Sequence, residues 1–144
     1  MLPSQNVTQI VQGLLKCGHF LQREMNQVCQ QFGLKQQQFS VLSEIVWHGP
    51  LTQKELGETL LFEKSNVSKI VKILFEKKLI RVAVDTHDRR LTLLSETREG
   101  HAVWKKCMQA FNESSSELIS VLSENGQVNA IRFLSKLQKA FKRK

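Results

Sequence analysis

"DTHDRRLTLLS", residues 85–95, decides the fold. It follows "LIRVAV", residues 79–84, where Ile80, Val82 and Val84 alternate with Leu79, Arg81 and Ala83. The apolar period drops there from 3.6 to 2, and "LTLLS" returns with the same period, which predicts two antiparallel strands joined by residues 85–90. The leucines are explained by a strand whose side chains alternate into a core. His87, Asp88, Arg89 and Arg90 are not explained by folding, and they mark the hairpin tip as the first candidate for function.

Immediately upstream, "EKSNVSKIVKILFEKKL" places Val67, Ile70, Val71 and Leu74 on one helical face. Ser65, Asn66, Lys69, Lys72 and Glu76 occupy much of the rest. A helix with core on one side and small polar and basic residues on the other fits a DNA major groove, although the same pattern also describes a solvated face. "LTQKELGETLL" before it opens with Thr52 as a cap and Glu55 three residues on, a capping box. Leu56 and Leu60 face inward, and Gly57 between them costs about 1 kcal/mol relative to alanine. A second helix crossing closely at Gly57 would account for it.

Further out, "QQQFSVLSEIVWHGP" spaces Phe39, Val41, Leu42, Ile45 and Val46 as a helix that stops at Gly49-Pro50. Residues 7–32 read as a long amphipathic helix with Gly33 as its C-cap. Its span of about 39 Å exceeds what one small core needs, which points to a partner subunit. On the other side, residues 96–126 read as a helix capped by Ser95, with Glu96 and Glu99 in its first turn and Asn125-Gly126 as its end. Its inner positions are Ala102, Val103, Met108, Phe111, Leu118, Ile119 and Leu122. A last helix runs from Val128 to about Lys142, with Ile131, Leu134, Leu137 and Phe141 repeating.

The order of elements is helix, helix, short helix, turn, basic helix, hairpin and two more helices, a mainly α chain with a small β-hairpin. "LTQKEL", "SNVSKIVKILFEKKLI" and "DTHDRRLTLLSETREG" closely resemble the MarR family of winged helix-turn-helix transcription regulators. The last stretch matches the family's acid-x-x-Asp-Arg-Arg wing and Thr-x-x-Gly helix start. The resemblance covers residues 51–100. It implies an N-terminal dimerisation helix over 1–34, a winged DNA-binding domain over 35–100, and C-terminal dimerisation helices with a basic tail over 101–144. It also implies a homodimer whose two recognition helices enter successive major grooves of a pseudo-palindromic operator, about 34 Å apart. Carried over by position, recognition falls to Ser65, Asn66, Ser68, Lys69 and Lys72, and the wing contacts fall to His87, Asp88, Arg89 and Arg90. Two positions depart from the pattern: Leu61 stands where a turn glycine is usual, and Glu63 where a Ser or Asp cap is usual.

The residue types suit these roles. Asn66 can read adenine bidentately, Ser65 and Ser68 can reach phosphates or base edges, and Lys69 and Lys72 neutralise backbone charge. A wing arginine suits a narrow minor groove. Asp88 lies two residues before Arg90, on the same side of an extended segment, and can aim its guanidinium. That favours Arg90 in the groove and Arg89 on a phosphate, with the reverse order still open.

Charge agrees with a polyanionic partner. The 144 residues carry a net +8 and a pI near 9.7. Residues 64–98 hold nine Lys/Arg against four acids, residues 132–144 hold six against none, and the remainder is mildly acidic. Segregated basic segments on a folded domain suit nucleic acid or an anionic surface. No apolar run approaches the ~20 residues of a membrane span, and no secretory pattern opens the chain, so a cytoplasmic setting is expected.

The sequence holds no phosphate loop, nucleophile elbow or paired carboxylates of an enzyme. His19, His48, His87 and His101 fall on separate elements, which gives no metal site and no cofactor. Within the family, small effectors occupy a pocket between the winged domain and the dimer helices. Here the resemblance implies His19, Phe20, Arg23, Trp47 and His48, which suit an aromatic anion. Some members sense oxidants through a first-helix cysteine, the place of Cys17, although this chain lacks the tyrosines that often bond such a thiolate. Cys17 and Cys29 lie about 18 Å apart along one helix, beyond the ~7 Å limit for a disulfide, so only pairing with Cys107 or between subunits remains. The reading is therefore a DNA-binding regulator, most simply a repressor, released by a small ligand or by thiol oxidation. Its rivals are an oxidant sensor acting primarily through Cys17, and a winged-helix protein-interaction module with exposed apolar residues on the 64–76 face.

Overall fold

A computed structural model of the protein describes residues 3–142. The elements run α1 (Pro3–Gln30), α2 (Gln36–His48), α3 (Gln53–Leu60), α4 (Lys64–Glu76), β1 (Ile80–Val84), β2 (Thr92–Glu96), α5 (Arg98–Ile119) and α6 (Glu124–Lys142). The mainly α architecture with one antiparallel hairpin is the one the pattern predicts. Arg143 and Lys144 of the basic tail lie outside the described residues.

α2 is the hub: it packs on α1, α3, α4, α5 and β2. Its apolar residues Val41, Leu42 and Ile45 are buried with Leu56 of α3, with Val67, Ile70, Val71 and Leu74 of α4, and with Ile80 and Leu94 of the hairpin. Burying each Leu or Ile contributes about 1.5–3 kcal/mol, so this cluster is what holds the winged domain together. Cys29 of α1 and Cys107 of α5 complete it from the side of the long helices. After Gln30 the chain leaves α1 through a turn closed at the expected Gly33, which adopts φ 77°, with Leu34 N donating to the Cys29 carbonyl at 3.1 Å. Lys77 Nζ donates to the Gly33 carbonyl and ties the end of α4 to this turn.

The start of α5 corrects the sequence reading. Ser95 and Glu96 belong to β2, paired with Arg81 and Ile80, and the cap is Thr97, whose Oγ1 accepts from Gly100 N at 3.0 Å. Thr97 also donates through Oγ1 to the Lys78 carbonyl at 2.7 Å, and its N–H bonds the Leu79 carbonyl at 3.2 Å. The first turn of α5 therefore sits directly against the 78–79 backbone. A Cβ on Gly100 would overlap the Leu79 carbonyl oxygen, which gives the glycine of the Thr-x-x-Gly motif a steric reason.

Two more boundaries differ. Asn125-Gly126 does not stop a helix: α5 ends at Ile119, and Ser123 Oγ accepts from Gly126 N at 3.1 Å as the start of α6. In the hairpin only Ile80 and Leu94 are fully buried, while Val82, Val84 and Leu91 are exposed. The two-stranded ribbon extends past the helices, so only its base has a core to alternate into.

Several positions expected to face inward lie on the surface of the single chain. They include Ala102, Leu118, Ile119 and Leu122, and also Ile131, Leu134 and Phe141 of α6. Val7, Ile10, Val11 and Leu15 are likewise exposed on α1. Single exposed leucines are ordinary, but α1, α5 and α6 each expose several large apolar residues at helical spacing.

Candidate nucleic-acid interface

The face of α4 turned away from the core presents Ser65, Ser68, Lys69 and Lys72, all exposed, with Asn66 half-buried beside them. Two of these side chains are held from behind. Asn66 Nδ2 donates to Gln37 Oε1 of α2 at 3.2 Å, and Ser68 Oγ donates to Gln53 Oε1 of α3 at 3.0 Å. Each bond removes rotamer freedom that a contact with DNA would otherwise have to remove. The sequence reading missed Gln37 and Gln53. Glutamines in first helical turns are ordinary surface residues, and only the fold places them against α4. The interaction-module rival expects apolar residues on this face; Phe75 is exposed near its end, and the other outward positions named above are polar.

The turn into α4 shows what the two departures do. Leu61 takes the left-handed conformation, φ 59° and ψ 31°, which glycine adopts without penalty. Phe62 N then donates to the Gly57 carbonyl at 3.2 Å. A Cβ on Gly57 would lie 3.4 Å from the Phe62 carbonyl oxygen and 3.7 Å from Val67 Cγ2. The turn backbone is thus the nearest neighbour of Gly57, and the expected α4 crossing comes second. Thr52 Oγ1 caps α3 by accepting from Glu55 N at 3.2 Å, one of the two expected capping-box bonds. Glu63 occupies the N-cap of α4 without a side-chain cap bond.

The wing is closed by its own aspartates. Asp85 N donates to the Leu91 carbonyl at 3.0 Å, and Asp85 Oδ1 accepts from His87 N at 3.1 Å. Asp88 Oδ1 accepts from both N and Nε of Arg90 at 3.1 Å, and Oδ2 accepts from Nη2 at 3.3 Å. The Asp88–Arg90 pairing expected from their spacing is present, and the Arg90 guanidinium holds the Asp88 carboxyl below the usual carboxylate range. Arg90 therefore has a local structural role that the sequence reading did not assign it. Arg89 is exposed and carries no ion pair among the described residues.

Of the five residues expected to line an effector pocket, His19 and Arg23 border one groove and Trp47 another among the described residues. His19 and Arg23 border a groove of about 440 Å³ formed by α1 alone, with the Arg23 guanidinium 5.8 Å from the Phe20 ring centre. Trp47 lines a separate groove of about 510 Å³ with Phe39, Met108 and Phe111. Trp47 also meets Trp104 edge-on at 6.1 Å, and Trp104 Nε1 donates to Ser43 Oγ at 3.1 Å. His48 lies 3.8 Å from Glu44. The separation arises because α1 meets α2 near Asn26, whose Oδ1 accepts from Gln36 N at 2.7 Å, two turns beyond His19.

The cysteines divide similarly. Cys17 is exposed, while Cys29 and Cys107 are fully buried with their sulfurs 3.4 Å apart. The Cys107 thiol donates to the Cys29 sulfur, which lowers the Cys29 pKa, while the same bond and burial push the Cys107 thiol up. No group of three or more His, Cys, Asp or Glu residues among the described residues could hold a metal ion. No helix among them is long and apolar enough to cross a membrane.

Comparison with known proteins agrees with this geometry. A family model described as MarR family matches residues 32–91, which run from the end of α1 through the wing. The chain is 28% identical over 120 residues to the HTH-type transcriptional repressor MdtR of Bacillus subtilis (strain 168), covering 83% of this chain and 77% of that protein. It is 27% identical over 101 residues to the uncharacterized HTH-type transcriptional regulator YwaE of the same organism. That match covers 70% of this chain but only 59% of YwaE, so the chain spans less than two thirds of that relative. A crystal structure of a Staphylococcus aureus MepR–DNA complex superposes with a TM-score of 0.78 at 25% identity, over 88% of this chain and 92% of that one. Residues 32–91, which hold the helix-turn-helix and the wing, are thus similar to the MarR family, and the fold of the whole chain is similar to that of a solved regulator bound to DNA.

Proposed function

We propose that the protein binds duplex DNA as a homodimer at a pseudo-palindromic operator and acts as a repressor. The observation that carries this reading is the outward face of α4, where Lys69 and Lys72 stand beside Asn66 and Ser68, both held in place from behind. Lys69 and Lys72 neutralise phosphates, Ser65 and Ser68 contact phosphates or base edges, and Asn66 reads adenine with the hydrogen-bonding capacity that Gln37 leaves free. In the wing, Asp88 aims Arg90 into the minor groove and Arg89 takes a phosphate, with His87 flanking them. The exposed apolar faces of α1, α5 and α6 form the dimer contact. The repressor MdtR, and MepR solved with DNA, support the direction of the reading.

DNA release follows from a small aromatic or anionic effector between the long helices and the winged domain, or from thiol oxidation, for which Cys17 offers an exposed sulfur. The Trp47 groove is the part of such a pocket that one chain supplies; His19, Phe20 and Arg23 join it only through a rearrangement of α1 or through the second subunit.

The test is selection of bound sequences from random duplex DNA, with and without oxidant. A recovered inverted repeat with half-sites one helical turn apart is expected. Recovery of no consensus would remove the reading.

A further inference from the structure

We propose that Cys29 and Cys107 form a thiol–disulfide switch, closed within one chain by a peroxide, that joins α1 to α5 and weakens DNA binding. Its functional half rests on the DNA-binding reading above; its chemical half does not.

The two residues lie 78 positions apart in sequence, yet the fold sets their sulfurs 3.4 Å apart, both fully buried. A pair of buried cysteines can act simply as small apolar side chains. Here, however, the thiols point at one another, in the one thiol–thiol hydrogen bond of the described residues. Closing a bond of about 2.05 Å requires the sulfurs to approach by roughly 1.4 Å, a movement within the reach of side-chain rotation and slight helix adjustment. Cys17 cannot substitute, since it lies three helical turns from Cys29 on the same helix.

The chemistry balances with hydrogen peroxide as the oxidant. The Cys29 sulfur, favoured as thiolate by the bond it accepts from Cys107, attacks one peroxide oxygen; the O–O bond breaks, and a sulfenic acid and water result. The Cys107 sulfur then attacks the Cys29 sulfur, the S–O bond breaks, and the departing oxygen takes the Cys107 proton and leaves as a second water. Two thiols are oxidised by two electrons and one peroxide is reduced to two waters. Because both sulfurs are buried, the reaction requires α1 and α5 to part briefly, and it should be slower than oxidation of the exposed Cys17.

The position of the pair links it to DNA. α5 begins directly behind the wing at Arg98, and α1 carries one of the unpartnered apolar faces. A bond between them couples the setting of the wing to the setting of the dimer helices.

The experiment treats the full-length wild-type protein and Cys17→Ser with hydrogen peroxide. It reads free thiols, linked peptides by mass spectrometry, and affinity for the duplex recovered by selection. Wild type is expected to yield a peptide pair joining Cys29 to Cys107 within one chain. Cys17→Ser is expected to lose both its remaining thiols, and both proteins should bind the duplex at least tenfold more weakly until a dithiol reductant is added. Cys29→Ala and Cys107→Ala, each combined with Cys17→Ser and checked for folding by circular dichroism, should lack the linked peptide and the reversible loss. Linkage only through Cys17, sulfinic acid without linkage, or no thiol loss in Cys17→Ser would overturn the disulfide. A Cys29–Cys107 bond that leaves affinity unchanged would overturn the switch. If the reduced protein binds no selected duplex, the DNA reading fails, and the peptide map still decides the disulfide independently.

Discussion

Arg90→Ala is the perturbation that most directly tests the wing, and its effect can be worked from the exposed cations. In the proposed docking, Lys69, Lys72 and Arg89 on phosphates and Arg90 in the minor groove would each displace one condensed counterion, four per chain and therefore eight in the proposed dimer. Each neutralised phosphate contributes about 0.9 to the slope of log affinity against log salt, so the dimer should show a slope of about −7. Between 50 and 200 mM salt its affinity should fall roughly 2 × 10⁴-fold. Removing Arg90 from both chains takes two contacts away. The slope should relax to about −5.4, and the fall over the same range to roughly 2 × 10³-fold. The assay is fluorescence anisotropy with the selected duplex at four or more salt concentrations. Asp88 adds a second expectation: because it clasps Arg90 and not Arg89, Asp88→Ala should alter base preference at the operator flanks in the manner of Arg90→Ala. A slope and affinity unchanged by Arg90→Ala would refute the placement of the wing on DNA.

Other expectations follow from single contacts. Gly100→Ala drives a methyl into the Leu79 carbonyl and should destabilise the fold by about 2–3 kcal/mol in urea denaturation; an unchanged midpoint would mean the two segments are not packed as described. Leu61→Gly relieves a left-handed residue and should stabilise by up to about 1 kcal/mol, and a loss of stability would show that the Leu61 side chain contributes more than its conformation costs. Glu63→Ser supplies the missing cap of α4 and removes a carboxylate near the DNA, so thermal stability should rise slightly and non-specific DNA affinity clearly. The Asp88 carboxyl should titrate below 3.8 by NMR, since the folded state favours its ionised form. The clasp is then constant above the ordinary carboxylate range and is lost only as pH falls through the lowered value; titration at or above 3.8 would contradict it. Ile131→Glu combined with Leu134→Glu should give monomers in sedimentation, and an unchanged dimer would place the interface elsewhere.

The winged core was legible because its signals are local: Val67, Ile70, Val71 and Leu74 keep helical spacing, and the drop to period 2 at Ile80 is abrupt. The errors occur where distant pairing decides between locally equal choices. Ser95 and Thr97 are both good caps, and only the pairing of Ser95 with Arg81 assigns it to the strand. Asn125-Gly126 resembles a stop, yet Ser123 makes the same residues a start. Apolar periodicity says that Ile131 and Leu134 will be covered, but not whether by their own chain or by another. In the candidate site, the Asp88–Arg90 pair was visible because only Arg89 separates its members. The supports of Asn66 and Ser68 were not, since Gln37 and Gln53 reach them only through the packing of α2 and α3 on α4. The Cys29–Cys107 contact remained as one of two options until the fold brought α1 and α5 together.

Leu51 and Leu94 exchange two backbone hydrogen bonds, Leu51 N to the Leu94 carbonyl at 3.1 Å and Leu94 N to the Leu51 carbonyl at 2.7 Å. This bridge rivets the root of the wing to the residue that leads into α3. With α3 packed on α4 and α4 on β1, the wing, α3 and α4 are therefore joined as one unit, with little freedom to adjust to each other. In the proposed dimer, mismatch with an imperfect operator would then fall on the distance between two such units, and single-base insertions at the operator centre should be far more damaging than equally conspicuous changes inside a half-site.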